Sequence, residues 1–397
     1  MVTKNTKKNI CMVAFTAYST DNRVRREAEA LASFGGYNVL VLALKEGVYP
    51  RSFHLHGVQI REMNISKYQG KSNLRYLMSY LKFALSVFFA CNRLLMNNSL
   101  DIVHIHNMPN FLVFCAIIPF LFGRKVILDV HDTMLETYLA KFEGHLNNLF
   151  TWALRLEELS SCMFAHKIIC VNHIQRKTLL KRGIPESKLF ILLNTPDPRI
   201  FRPGKKSVIN RSNNKRFRIV YHGTVTKRLS LDLAIRAVAS LVGRIPFLEF
   251  TILGRGEEIQ ELAQLSRELG VQEIVHFESQ VPGEELADIL TRMDLGIVPN
   301  SRNIATELML PVKMLECVAL DIPVVVPRLK TIEYYFSDDM VTYFEPGNVD
   351  SLISSILEAF NSENERINKA KNAKRFLEKY GWDTHKFTLI NLYRSLP

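Results

Sequence analysis

The sequence lacks the features that most quickly decide a protein's class. Its six cysteines (Cys11, Cys91, Cys115, Cys162, Cys170 and Cys317) include no pair at CxxC spacing, and most sit inside apolar runs. That excludes a small disulfide scaffold and points to reduced, buried thiols in a cytoplasmic protein. The N-terminus, MVTKNTKKNICMVAF, has a basic start but no long apolar stretch with a small-residue cleavage site. It reads as a short tail entering a strand, not as a signal peptide. Long unbroken hydrophobic runs are also missing. LRYLMSYLKFALSVFFACNRLLM (74–96) is interrupted by Arg75, Lys82 and Arg93, and FLVFCAIIPFLF (111–122) has only 12 residues. The second is too short to span ~30 Å of hydrocarbon as a helix. Both read as buried or half-buried helices. The aromatic-rich 74–96 segment, with its scattered cations, also suits a helix lying on an anionic membrane.

Acidic residues are scarce in the first half. Residues 1–200 carry 25 Lys+Arg against 14 Asp+Glu, whereas residues 201–397 carry 26 against 25. A basic half suggests an anionic partner, or simply a soluble basic surface. Nucleic acid is disfavoured, because the charge is not interleaved with aromatics in a recognition motif. A GxGxxG fingerprint with an acid ~20 residues on is absent. His104 and His106 alternate with Ile on one strand, but no set at metal-ligand spacing accompanies them, so no metal is expected.

What remains is an ordinary globular composition of 397 residues, 47% apolar and 23% charged. Length alone suggests two or three domains. NICMVAF (9–15), YNVLVLAL (37–44), GVQIREMN (57–64), DIVHIHN (101–107), KVILDVHD (125–132) and HKIICVN (166–172) read as strands. Helical patterns at 22–35 and 74–96 lie between them. Alternating strands and helices indicate βαβ units around a parallel sheet, and strands without polar alternation fit a sheet covered on both faces. The Pro-, Asn- and Lys-rich stretch 194–216 reads as a linker. The βα alternation then restarts with FRIVYHG (217–223), FLEFTILGRG (247–256), IVHFES, DLGIVPN and IPVVVP (322–327), with helices at 231–243, 257–270, 283–292 and near 311–320.

In that order and spacing the motifs are recognisable. YHGTVTKRLSLDLAIRAV, FTILGRGEEIQELAQLSRELG, VHFESQVPGEELADILTRMDLGIVPN and LPVKMLECVALDIPVVVP resemble the retaining glycosyltransferases of family 4, which have the GT-B fold. TDNRVRREAEALASFGGYNVLVL, DIVHIHNMPNFLV and LDVHDTMLETY extend the resemblance through the first half, where it looks most like the bacterial subgroup that builds surface polysaccharides. The resemblance implies an α/β chain with two Rossmann-like, doubly wound domains facing across a cleft. Residues 1–200 would bind the acceptor and residues 201–379 the nucleotide sugar, with a C-terminal helix at about 380–397 returning to the first domain. It further implies transfer of a sugar from a nucleotide-diphosphate sugar to a lipid-linked or glycan acceptor, with retention of configuration, and no metal or cofactor. A peripheral position on the inner face of the membrane fits the basic half.

The residues carried over by this resemblance need a chemical reason each. A departing diphosphate gathers negative charge, which placed cations and helix N-termini offset. Lys227 and Arg228, in the loop after RIVYHG, would grip that diphosphate; the bland alternative is two solvated loop cations. The family's glycine after the lysine is replaced here by Leu229-Ser230. Glu316 would accept hydrogen bonds from ribose hydroxyls, or else form a structural ion pair, since an unpaired buried charge is costly. The first Glu of the paired-Glu motif is Leu308 here, with Glu307 one residue off, and the family glycine is Pro311. Pro311 suits the first position of a helix, leaving the amides of Val312 and Lys313 to face the diphosphate, with Lys313 adding charge. Gly223 and Gly254 complete the donor side. His131 would reach the donor sugar, with Asp132 orienting it or touching the acceptor; the alternative is Asp132 as a helix N-cap. Asn22, Arg23, His106 and Asn107 fall on the acceptor side, although Arg23, Arg25 and Arg26 fit a solvated helix face equally well. Two further readings remain open: a GT-B nucleotide-sugar epimerase, and a degenerate nucleotide-sugar-binding protein.

Overall fold

The computed structural model describes residues 7–66, 68, 73–142, 149–203 and 216–396. The chain divides into two compact units, Met1–Asn194 with His385–Pro397, and Thr195–Thr384. The division falls at Asn194/Thr195, at the start of the stretch expected to be a linker. Residues 204–215 of that stretch lie outside the described residues.

The first unit is built on eight strands: β1 (Asn9–Ala14), β2 (Asn38–Leu44), β3 (Ser52–Leu55), β4 (Val58–Met63), β5 (Ile102–His106), β6 (Lys125–Val130), β7 (Lys167–Cys170) and β8 (Leu189–Ile191). They lie in the order β3-β4-β2-β1-β5-β6-β7-β8. Every pairing is parallel except β3 with β4, an edge hairpin that the sequence reading missed. Its helices are α1 (Asn22–Ser33), α2 (Asn73–Met96), α3 (Ile117–Leu121), α4 (Met134–Phe142), α5 (Leu149–Phe164) and α6 (His173–Lys181). Residues expected as one helix at 111–122 instead form a 3-10 helix at Asn110–Ala116 followed by the single short turn of α3. Phe83, Val87 and Cys91 of α2 join the strand valines and isoleucines in one core.

The second unit has six parallel strands: β9 (Phe217–Thr224), β10 (Leu248–Arg255), β11 (Val275–Glu278), β12 (Leu295–Ile297), β13 (Val324–Pro327) and β14 (Thr342–Phe344). Their order is β11-β10-β9-β12-β13-β14. Helices α7 (Leu231–Leu241), α8 (Ile259–Glu268), α9 (Gly283–Leu290), α10 (Val312–Ala319), α11 (Lys330–Tyr335), α12 (Val349–Asn361) and α13 (Glu363–Tyr380) surround it. The last helix, α14 (Trp382–Arg394), carries the chain back into the first unit, where Tyr393 is buried against His104.

Both sheets are doubly wound, as expected. In each, the strand order reverses once, at β1/β5 and at β9/β12. Ligands of such sheets bind outside the carboxyl ends of the strands at that reversal. Those two places hold the clusters described next.

Candidate functional site

The carboxyl ends of β1, β5 and β6 align through the pairings Ala14↔His106 and His106↔Asp129. Under them lies a fully buried charged cluster. The Arg23 guanidinium donates to both oxygens of Asp129, from Nε and Nη2 at 2.9 Å each, and to the carbonyl of Leu192 at 3.2 Å. Its Nε also stands 3.1 Å from Glu27. Arg23 is therefore not offered to an acceptor, and neither it nor Arg26 lies on a solvated face: both are 3% exposed. Of that helix start, only Asn22 is exposed.

Three imidazoles gather at this pair. His104 and His106 lie 4.3 Å apart face to face, and His104 Nδ1 is 2.6 Å from the Tyr393 hydroxyl. His131 Nε2 is 3.1 Å from Asp129 Oδ2 and 3.0 Å from His106 Nδ1. Burial alone would lower His131, but Asp129 outweighs it and holds the imidazole above its ordinary value. Burial pulls Asp129 upward, yet Arg23 and then His131 keep it well below the carboxylate range. Burial and neighbouring His106 push His104 far down, so it is neutral. With Nε2 turned to Asp129, His131 has Nδ1 as its other ring nitrogen, on a side chain 23% exposed. The result is an imidazole fixed at a strand end by a buried carboxylate that favours its charged form.

Asn107 does not face outward. Its amide donates to the Asp132 carbonyl at 2.7 Å and to Asn110 at 2.8 Å, and its oxygen accepts from the His131 amide at 2.7 Å. It ties the loop after β5 to the loop carrying His131. His106 is likewise buried, and Asp132 is exposed. The fold also gathers Glu27, His104, His106 and Asp129, whose ligand atoms lie within 4.8 Å of one another. This corrects the view that no such set exists. Spacing hid it, because Glu27 and Asp129 come from distant segments. The Arg23 guanidinium already supplies positive charge to both of its carboxylates.

The second cluster sits at β9/β12. Lys313, in the first turn of α10, reaches under the end of β9. Its Nζ donates to the Tyr221 hydroxyl and stands 3.9 Å above the Tyr221 ring. Burial lowers Lys313 to about 7, with Glu316 opposing and Arg228 adding to the fall. Gly223 has φ +111, and a Cβ there would sit 3.4 Å from Lys313 Cε and Nζ. Only glycine keeps that backbone and that approach at no cost. Glu316 accepts from His222 Nε2 at 2.7 Å, so the carboxylate is positioned by a residue the sequence reading did not pick. Pro311 stands one place outside the expected first helical position, as the N-cap, and Val312 and Lys313 supply the first two amides of α10. Lys227 and Arg228 form a short 3-10 turn after β9. Lys227 is exposed and Arg228 half-buried.

Two expected donor residues have other partners. Glu307 accepts from the Lys330 amide at 2.8 Å, at the first residue of α11, and pairs with Arg302 at 2.9 Å. It acts as an anion at a helix N-terminus. Gly254 lies within β10, where a Cβ would fall 1.9 Å from the Gly223 carbonyl oxygen. Its place is fixed by strand packing.

Comparison with known proteins fits this geometry. Residues 21–199 match the family described as Glycosyltransferase Family 4, and residues 204–376 match Glycosyl transferases group 1. The chain belongs to the family 4 glycosyltransferases. It is 23% identical over 276 residues to a phosphatidylinositol N-acetylglucosaminyltransferase subunit of Arabidopsis thaliana, covering 69% of this chain and 57% of that protein. It is 25% identical over 187 residues to a D-inositol 3-phosphate glycosyltransferase of Corynebacterium urealyticum, covering 45% of this chain and 43% of that one. The chain thus spans about half the length of the curated relatives it matches. Among solved structures, sucrose-phosphate synthase from Thermosynechococcus elongatus superposes with a TM-score of 0.77 at 15% identity, over 98% of this chain and 99% of the other. HepE of Anabaena in complex with UDP-glucose gives 0.73 at 13%, over 98% and 99%. These likenesses show the GT-B fold. Among the described residues, no helix is long and apolar enough to cross a membrane.

Proposed function

We propose that this chain transfers a sugar from a nucleotide-diphosphate sugar to a lipid-linked or glycan acceptor, with retention of configuration and without a metal. The observation that carries this is the Lys313–Glu316–Gly223 cluster at the strand-order reversal of the second sheet. A cation, a positioned carboxylate and an uncrowded backbone are what a diphosphate with an attached ribose requires. The HepE structure holding UDP-glucose supports a donor of this class.

The second unit takes the donor. Glu316, held by His222, accepts from the ribose hydroxyls. Lys313, Arg228 and the first amides of α10 face the diphosphate, and Lys227 adds charge at the rim. Their effect grows as the bond to the sugar breaks, because negative charge builds on the leaving diphosphate. The first unit takes the acceptor, and His131 donates a hydrogen bond to the donor sugar from an imidazole that Asp129 orients. The similarity to a phosphatidylinositol N-acetylglucosaminyltransferase component supports a lipid-linked acceptor.

A thermal-shift screen of nucleoside diphosphates and nucleotide sugars tests the donor assignment. A ligand at 100 times its Kd stabilises the native state by about 2.7 kcal/mol, which raises Tm by a few degrees. Glu316→Gln should abolish the shift while His131→Ala preserves it. A shift that survives Glu316→Gln unchanged refutes the assignment.

A further inference from the structure

Helix α2 is apolar on two opposite sides. Phe83, Val87 and Cys91 are in the core. Leu77, Leu81, Leu85 and Phe89 follow one another every four residues, each 46% exposed or more. A helix apolar all round belongs in a core or against another apolar phase. Its neighbours repeat the pattern. In α5, Trp152, Leu156, Leu159 and Met163 form a second stripe at helical spacing, 40–67% exposed, and Leu121 and Phe122 at the end of α3 are more than 70% exposed. These helices are adjacent. The Cys115 thiol, in the 3-10 helix before α3, bonds the Ala84 carbonyl of α2. Phe120 of α3 stacks 4.7 Å from Phe164 of α5. Of the 24 large apolar side chains exposed among the described residues, 15 lie in 77–163 on α2, α3 or α5 and their ends. Single exposed leucines need no explanation, but a contiguous apolar area of this kind marks an interaction surface.

The charges decide what it meets. Residues 73–96 and 110–125 contain Arg75, Lys82, Arg93, Arg124 and Lys125, and no Asp or Glu. The two acids of α5 turn inward: Glu158 is buried on Arg182, and Glu157 accepts from Asn110 and the Phe111 amide. Arg124, at the edge, stands 3.4 Å from the half-buried Asp101, and the outward charges on α2 and α5 themselves are cationic. A protein interface has a polar rim of no particular sign. Apolar stripes carrying Lys and Arg as their own charges are the make-up of an interfacial helix on anionic lipid.

We propose that α2, α3 and α5 form a docking face for an anionic lipid bilayer, with the apolar stripes entering the headgroup boundary and Lys82 and Arg93 at the phosphates. This goes beyond sugar transfer and does not depend on it.

Trp152 reports on the face directly, because the other tryptophan, Trp382, is buried. The full chain is mixed with phosphatidylcholine vesicles, with and without a minority of phosphatidylglycerol. Followed by co-sedimentation and tryptophan emission, it should bind the anionic vesicles with a blue shift that is absent in Trp152→Phe. Each neutralised cation lowers partitioning about fivefold, so Lys82→Gln with Arg93→Gln gives about 25-fold. Leu85→Ser with Phe89→Ser gives about tenfold or more. Equal binding to neutral vesicles, binding with no Trp152 shift, or a dimer that buries Trp152 while vesicles stay unbound would each overturn the proposal.

Discussion

Lys313 links ligand binding in the second unit to pH. Burial beside Tyr221 brings its ammonium from an ordinary 10.5 down to about 7. At about pH 8.5 the free protein therefore holds Lys313 roughly 3% charged. A diphosphate placed at Nζ brings the negative charge that restores the ammonium. Binding then takes up nearly one proton at about pH 8.5 and less than about 0.1 at pH 6. The sign follows: the bound state holds the proton more tightly, so affinity weakens as pH rises above 7. Between pH 6 and pH 8.5 the loss is about 30-fold. A nucleotide sugar is the right probe, since its diphosphate does not titrate in this window. Calorimetry in two buffers of different ionisation enthalpy measures the uptake directly. Lys313→Met should bind more weakly, with no uptake and a flat pH profile. Uptake near zero in the parent protein at pH 8.5, or equal uptake in Lys313→Met, would refute the reasoning.

Further expectations follow from the buried clusters. Asp129→Asn removes the two-oxygen partner of the buried Arg23 guanidinium and leaves it Glu27 alone, and should cost about 3 kcal/mol in urea unfolding; a loss under about 1 kcal/mol contradicts the pairing. His131 has a folded value raised above its unfolded one. Its contribution is full below about pH 6.5 and is lost as pH rises through the folded value. The stability difference between parent and His131→Gln should therefore shrink from pH 6 to pH 9, and a difference that grows is the contrary result. Gly254→Ala drives a Cβ into the Gly223 carbonyl and should destabilise by about 3 kcal/mol, read as a fall in Tm with normal-looking donor chemistry in whatever fraction folds. Turnover should be unaffected by a chelator, and loss of activity restored by a divalent ion would remove the metal-free mechanism.

Much of the architecture was legible because its signals are local. NVLVLAL and KVILDV are apolar without alternation, and they are interior strands covered on both faces. The helical pattern read at 22–35 is α1, which the Asp21 side chain caps at the Val24 amide. The elements that escaped include long helices, α5, α12 and α13 among them, as well as short strands. β8 and β14 have three residues each, and β3 is a four-residue edge strand whose pairing comes from the tight turn before β4. The site was legible by residue type but not by role. Arg23 looks like a free cation until Asp129, 106 residues away, is placed beside it. Tyr221 and His222 read as strand residues until α10 brings Lys313 and Glu316 against them, 92 and 94 positions later. Glu307 differs from Glu316 only in what the fold sets nearby: an α11 amide in place of an imidazole.

The central claim is sugar transfer from a nucleotide-diphosphate donor, and following the labelled sugar tests it most directly. With donor and a lipid extract, label should enter the lipid or glycan fraction. One nucleoside diphosphate should be released per sugar moved, with loss of both in Glu316→Gln. Donor that is bound but never consumed, or donor epimerised with no acceptor present, would contradict it.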